Sequence, residues 1–282
     1  MGTPRHNDAA PLGAYGLRLS GVESAGDLLV PVSPDLPAFE LASEVAPARN
    51  APEYVTDSQA RLQLRSGGEL RIDRDAGRVL ARVPHDVRPD ELVHPYLAPA
   101  AAVIGRWLGR ESLHAGAFVV EGRVWGLVGR REAGKSSTLA ALASRGCGLV
   151  CDDMLILDGL TPLLGPRSVD LRADAAEWLR VGEPIGVTGA RERWRLRVPP
   201  VAGDLELAGW VFLAWGDEVA VRALGAAERL ARLLEERGLR LPPVRPELLV
   251  DLAALAAWEL RRTKGWDSLD TTVDRLLELA SA

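Results

Sequence analysis

Cysteine and lysine are scarce in this chain, each occurring twice among 282 residues, and only three phenylalanines and three tyrosines are present. Cys147 and Cys151 lie four apart in an apolar stretch. They lack the further ligands of a structural zinc site, so a disulfide framework and a zinc knuckle are both excluded. They are expected to be small core residues in a reducing cytosol, which makes the expected localisation cytoplasmic. No run approaches the ~20 apolar residues that span a bilayer, and the segment from Met1 to Pro11 is polar and proline-rich, so neither membrane insertion nor secretion is expected. A net charge of −5 argues against broad binding to nucleic acid or anionic lipid. Of the 34 basic residues only Lys135 and Lys264 are lysine, which makes lysine a rare choice here.

With 47% hydrophobic and 26% charged residues, the chain can bury a full core as an ordinary globular protein of one or two domains. From Ala14 to Val83 apolar residues alternate in short runs, as in Arg61–Arg65, Glu69–Asp73 and Arg78–Val83, with Gly67-Gly68 and Asp75–Gly77 between them. This pattern predicts an antiparallel meander. The proline-rich segment Pro31–Pro52 is predicted to interrupt it as loop. Tyr96–Leu108 has helical length and composition, with Pro99 near its start.

The next segment has the order of a nucleotide-binding α/β core. Leu113–Val120 is predicted as a strand, Glu121–Arg123 as a turn and Val124–Val128 as a second strand. A glycine-bearing loop, a helix over Lys135–Ser144 ended by Gly146, and strands over Gly148–Cys151 and Met154–Leu157 follow. Leu207–Ala214 is predicted as a further buried strand, and Ala226–Ala280 as three helices broken at Gly238–Pro246 and at Gly265. The expected division is a β-rich region over 1–95, a P-loop core over 96–222 and a helical region over 223–282.

The segment Gly129-Arg130-Arg131-Glu132-Ala133-Gly134-Lys135-Ser136 fits G-x-x-x-x-G-K-[ST] between a predicted strand and a predicted helix. Its glycines let successive N–H groups face a phosphate, and the helix N-terminus adds partial positive charge. Lys135 would reach the β and γ phosphates, and Ser136 would offer its hydroxyl to Mg²⁺, with Ser137 next in the helix. Arg130, Arg131 and Glu132 put charge where many such loops carry small residues; the arginines either contact phosphate or are solvated.

Asp152-Asp153 ends an apolar strand downstream, the usual place for an acid that holds Mg²⁺ beside a P-loop. Neighbouring strand side chains face opposite ways, so one carboxylate can serve the metal and the other an acceptor hydroxyl as general base. His114 precedes the loop by fifteen residues, while His6, His85 and His94 have no constellation around them. Arg167 or one of Arg191–Arg197 could close over developing phosphate charge; the alternative is a solvated loop or the exposed face of a strand. The eight tryptophans, Trp107, Trp178, Trp210 and Trp258 among them, are expected to fill core and interfaces.

Together, Leu113-His114-Ala115-Gly116, the loop Gly129–Ser136, the helix ending at Arg145-Gly146 and Leu149-Val150-Cys151-Asp152-Asp153 resemble the catalytic domain of the HPr kinase/phosphorylase family. The resemblance covers residues 110–160 well and extends weakly to 225. It implies a P-loop core similar to phosphoenolpyruvate carboxykinase rather than to Ras-like enzymes, with ATP and Mg²⁺ as cofactors. By position it implies Lys135 and Ser136 at the phosphates and metal, Asp152 as the base, Asp153 as a metal partner and His114 supporting the base or the phosphates. Glu132-Ala133 stands where that family carries a serine-glycine pair, and the N-terminal meander is unlike its bacterial regulatory domain. The chain looks closer to the HPr-kinase-like proteins of peptide natural-product pathways, some of which phosphorylate a serine of a precursor peptide.

The expected function is therefore an ATP- and Mg²⁺-dependent kinase acting on a serine of a peptide or protein. A small-molecule kinase for free serine or a sugar, and a nucleotide-binding switch without transfer, are the alternatives. Neither nucleic acid nor membrane is an expected partner, and the family's tendency to form rings leaves a homo-oligomer open.

Overall fold

The computed structural model describes residues 10–48, 51–65, 67–188, 191–203 and 205–281. The segment 1–9, which includes His6 and most of the polar stretch from Met1 to Pro11, lies outside the described residues. The chain is a mixed α/β protein of several sheets and helices.

The N-terminal sheet holds β1 (Leu12–Ala14), β2 (Leu17–Ser20), β3 (Val30–Pro31), β4 (Ala38–Val45), β5 (Tyr54–Val55), β6 (Gln59–Gln63), β7 (Glu69–Asp73) and β8 (Arg78–Val83). Their order is β3-β1-β2-β4-β8-β7-β6-β5. Two expectations fail here. The stretch predicted as loop contains β4, and β4 pairs in parallel with both β2 and β8, so the sheet is mixed rather than an antiparallel meander. The prolines at 31, 34, 37, 47 and 52 flank β4 without entering it, and the alternation of buried Phe39 and Leu41 with exposed Ala38 and Glu40 supplies the strand period. A one-turn helix α1 (Pro89–Glu91) then leads to α2 (Leu97–Trp107), whose alanines, Val103 and Ile104 are buried on nearly every side.

The predicted strand over Leu113–Val120 is two strands that enter different sheets, β9 (Glu111–Leu113) and β10 (Ala115–Val120), with His114 at the bend. β10 forms a hairpin with β11 (Arg123–Val128). At its tip Glu121 and Gly122 both have positive φ, 51° and 77°, the requirement of a two-residue turn that matches strand twist. After the P-loop come α3 (Lys135–Ser144), β12 (Gly148–Cys151), β13 (Leu155–Asp158), β14 (Thr161–Leu163) and β15 (Ser168–Leu171). Gly146, at φ 85°, closes α3 by letting its own N–H reach Ala143 O at 2.9 Å and that of Cys147 reach Leu142 O at 3.1 Å.

The chain continues through α4 (Ala173–Leu179), β16 (Glu183–Thr188), β17 (Arg191–Arg197), β18 (Leu207–Trp215), β19 (Ala220–Ala223), α5 (Ala226–Glu235), α6 (Pro246–Ala254), β20 (Ala256–Arg262) and α7 (Leu269–Ser281). The central sheet runs β12-β10-β11-β18-β20-β19, with β11, β18 and β20 parallel. The region 223–282, expected to be helical, thus supplies an inner strand of that sheet. Residues 256–262 are rich in alanine, leucine, glutamate and arginine, good helix formers, but the seven-residue pairing with β18 overrides that propensity.

One face of the central sheet shares a core with the N-terminal sheet, α2 and α6 through Ala115, Ala117, Val124, Trp210 and Phe212. The other face, with Phe118, Leu127, Val211 and Leu260, packs under α3 and α7 through Leu139, Leu142, Val273 and Leu276. Two small sheets, β14-β13-β9 and β15-β17-β16, flank it. Among the described residues no helix is long and apolar enough to cross a membrane.

Candidate nucleotide and phosphate site

The loop Gly129–Gly134 joins β11 to α3, so its ends are fixed by a buried strand and a buried helix. Gly134, at φ 87°, turns the chain into the helix, and Glu132 adopts φ 69° just before it. A Cβ on Gly129 would meet Ala133 at 3.1 Å and the Leu213 carbonyl at 3.2 Å. The left-handed φ favours glycine at 134, and at 129 a side chain would be accommodated only if Ala133 or the Leu213 backbone gave way.

Lys135, only 7% exposed, curls back across the loop and donates to Gly129 O at 2.6 Å. Its Nζ also lies 3.1 Å from His114 Nε2, and burial pulls its pKa below the ordinary lysine value. An ammonium has no acceptor lone pair, so His114 Nε2 accepts and the ring proton belongs on Nδ1. That nitrogen faces Asp153, 3.1 Å from its carbonyl and 3.3 Å from Oδ1. His114 is held there by its position between β9 and β10 and by its N–H, which donates to Glu236 O at 2.7 Å. The structure brings Lys135, His114 and Asp153 into one hydrogen-bonded chain.

Asp152 and Asp153 differ sharply in environment. Asp153 is exposed, whereas Asp152 is 5% exposed and its pKa is raised to about 6, first by burial and further by Asp153 and Asp170. His94 and the Ser136 hydroxyl beside it pull the other way. One carboxylate oxygen accepts the Asp170 N–H at 3.2 Å, and the other, Oδ1, is buried with no hydrogen-bond partner among the described residues.

Behind Asp152 lies a group that the sequence did not announce. His94, set aside as isolated, is 4% exposed, and its Nε2 is 3.7 Å from Asp170 Oδ2. Arg195 holds both oxygens of Asp170 at 2.7 and 2.8 Å, and also takes Asp90 Oδ2 at 2.9 Å and His94 O at 2.8 Å. The one signal available in the sequence was Asp170 itself, an acid inside the apolar strand Ser168-Val169-Asp170-Leu171.

Of the arginines considered as closing residues, Arg167, Arg191, Arg195 and Arg197 are otherwise occupied. Residues 191–197 form strand β17, in which Arg195 is buried and Arg197 pairs with Asp27 and Glu183. Arg167 donates to Val198 O at 3.1 Å. Arg191 and Arg172 reach Glu132 Oε1 at 3.4 and 2.5 Å, so the charge inside the loop is met from outside and the Glu132 carboxyl is held below its usual pKa, first by Arg172. Arg130 and Arg131 are exposed, and Arg130 borders a cleft of about 480 Å³ shared with Leu234, Glu236, Arg237 and Arg240. Cys147 is half-buried and Cys151 buried, both as free thiols.

No protein-family profile matches the chain, and no curated protein does. Among solved structures it is similar to the Hpr(Ser) kinase/phosphatase from Coxiella burnetii, with 16% identity over 61% of this chain and 96% of that one, at a TM-score of 0.32. A likeness at that level does not bear on the fold or the activity of this chain.

Proposed function

We propose that the chain is an ATP- and Mg²⁺-dependent kinase that transfers the γ-phosphate to a hydroxyl, most simply a serine of a peptide or protein. The observation that carries this reading is the continuous set Lys135–His114–Asp153 with buried Asp152 beside Ser136, assembled at the mouth of a P-loop that leads into a helix N-terminus. A pure nucleotide switch has no need of a buried carboxylate tuned toward neutral pH.

The donors fit the implied ion. Ser136 and Asp153 offer oxygens, the donor type a hard cation prefers, next to buried Asp152, whose Oδ1 has no hydrogen-bond partner among the described residues and is free to take a proton. Among the described residues no group of three or more His, Cys, Asp or Glu forms a cage, which suits an ion that keeps phosphate and water oxygens around it. When bound, Mg²⁺ supplies charge neutralisation for the phosphates.

The residues of the chain carry the rest. Loop N–H groups and the start of α3 orient the phosphates, and Lys135 moves its charge from Gly129 O toward them. Asp152 accepts the proton of the acceptor hydroxyl as that oxygen bonds to the γ phosphorus and the bond to the β-phosphate oxygen breaks, leaving ADP. His114, anchored by Asp153, keeps Lys135 and the base in register. The cleft beside Arg130, floored by Glu236 next to His114, supports entry of an extended acceptor rather than a closed small-molecule pocket.

A second division of labour is favoured by one contact. Ser136 stands beside Asp152, the pairing expected of two metal ligands, which would leave Asp153 with His114 as the base. The test incubates a peptide-enriched host extract, supplemented with free serine, with Mg-ATP and wild type, Lys135→Ala, Asp152→Asn or Asp153→Asn, and reads intact mass and Mg-ATP affinity. The expected result is a phosphoryl gain on one species with wild type only, loss of nucleotide binding in Lys135→Ala, and retained binding without transfer in Asp152→Asn. Retained binding without transfer in Asp153→Asn instead, with metal-dependent binding lost in Asp152→Asn, exchanges the two roles. Binding of Mg-ATP with no phosphoryl gain on any species moves the reading to the switch.

A further inference from the structure

Arg262, the last residue of β20, is 2% exposed. Its guanidinium lies against the P-loop where the loop becomes α3: a Cβ on Gly134 would fall 1.9 Å from Arg262 Nη2. Trp215, the register partner of Arg262 at the end of parallel strand β18, covers one face of the guanidinium, with its ring centroid 4.3 Å away.

The edge of that guanidinium is not accounted for. Among the described residues no carboxylate pairs with Arg262, and its Nε is buried without a hydrogen-bond partner. Burial alone lowers its pKa, to about 10, with no acid nearby to raise it. The other well-buried arginines do not behave this way. Arg195 takes both oxygens of Asp170, and Arg237 takes both oxygens of Glu111. Even Arg261, next in the chain, pairs with Glu259 at 2.8 Å.

Two sources of positive charge thus meet where the loop becomes α3, the unpaired guanidinium and the N-terminal end of the ten-residue helix α3, which has no side-chain cap; the Lys135 ammonium, which already feels Asp152, Asp153 and Glu236, adds a third. Burying a guanidinium is costly unless an anion meets it. A ring face offers only part of that compensation and leaves the N–H fork unfilled. Planar, bidentate donation is what arginine offers to phosphate and lysine does not.

We infer that Arg262 is a phosphate-binding residue of this site, donating its fork to the phosphate chain of the nucleotide at the start of α3. The inference rests on the nucleotide reading given above. It makes Gly134 serve two purposes, the left-handed turn into the helix and the space through which the guanidinium reaches the loop.

The test compares wild type, Arg262→Met, Arg262→Lys and Lys135→Ala by calorimetric titration with Mg-ATP and with inorganic pyrophosphate, alongside ligand-free melting curves. Arg262→Met keeps an unbranched side chain at the same position and removes the guanidinium and its charge. Its ligand-free Tm is expected to equal or exceed that of wild type, while affinity for both anions falls about 10- to 100-fold, the loss typical of a charge-assisted hydrogen bond. Arg262→Lys is expected to fall between the two. Wild-type binding with Arg262→Met within twofold of it overturns the inference and leaves the P-loop reading intact. A lowered ligand-free Tm with unchanged affinity assigns Arg262 a packing role and overturns it equally. Wild-type protein that binds neither anion overturns the nucleotide reading and the role of Arg262 with it.

Discussion

Two arginines on either side of the candidate site are almost equally buried, at 1% for Arg195 and 2% for Arg262, yet their surroundings are opposite. Arg195 sits behind Asp152 and satisfies its fork with Asp170, Asp90 and the His94 carbonyl. Arg262 sits against the P-loop and meets a tryptophan face and no carboxylate. Desolvation acts on both, but only Arg195 has its compensation built into the chain. The difference separates charge that holds the fold from charge the fold leaves available for an anion. It also explains why counting arginines misleads, since Arg195, Arg197 and Arg167 are engaged elsewhere.

The largest effect should come from breaking the engaged side. Asp170→Ala leaves Arg195 buried against the single carboxylate of Asp90 and removes the acid facing His94, and should cost about 3–5 kcal/mol of stability in urea unfolding. A cost below about 1 kcal/mol would mean that the network behind Asp152 is not what positions it. On the other side of the comparison, removing the charge of Arg262 should cost the ligand-free fold nothing.

Asp152 lies between these cases, with one oxygen bonded and one orphaned, and pH titrates it. Its folded pKa of about 6 stands above the ordinary 3.8, so between those values the native state holds more protons than the unfolded chain. Stability from this group is therefore fully present below pH ~4 and is lost as the pH rises through ~6, a change of about 2–3 kcal/mol. In Mg²⁺-free buffer, Asp152→Asn should remove that slope and be the more stable protein at pH 8. A slope that survives the substitution places the titration elsewhere.

The smallest effect should come from the exposed ion pairs of the loop. Glu132 meets Arg172 and Arg191 in solvent, where such pairs contribute little and are screened by salt. Glu132→Gln should leave Tm unchanged within error in moderate salt. A clear drop would show that the bridge from the loop to β17 fixes the conformation of Glu132, which stands at φ 69°.

What could be read from the sequence was local. The loop from Gly129 to Ser136 is contiguous, its strand and helix flank it directly, and the hairpin turn at Glu121-Gly122 announces itself by residue type. The errors came where pairing outweighed local pattern. β4 was hidden among prolines that only flank it, and β20 carries helix-forming residues that parallel pairing holds extended. The split at His114 was invisible because both halves of the run have strand character and only their partners differ.

The sequence by itself determined the glycine-lysine loop between strand and helix, the paired acids after a buried strand and the rarity of Lys135, because each depends on residues a few positions apart or on composition. Tertiary structure decided everything that depends on burial. It chose which aspartate is desolvated and joined His94, Asp170 and Arg195 from three separate segments. It also gave the adjacent Arg261 and Arg262 opposite fates, since alternate residues of a strand face opposite sides. The sequence places two arginines side by side, and only the sheet decides which one is paired with Glu259 and which is buried against the loop.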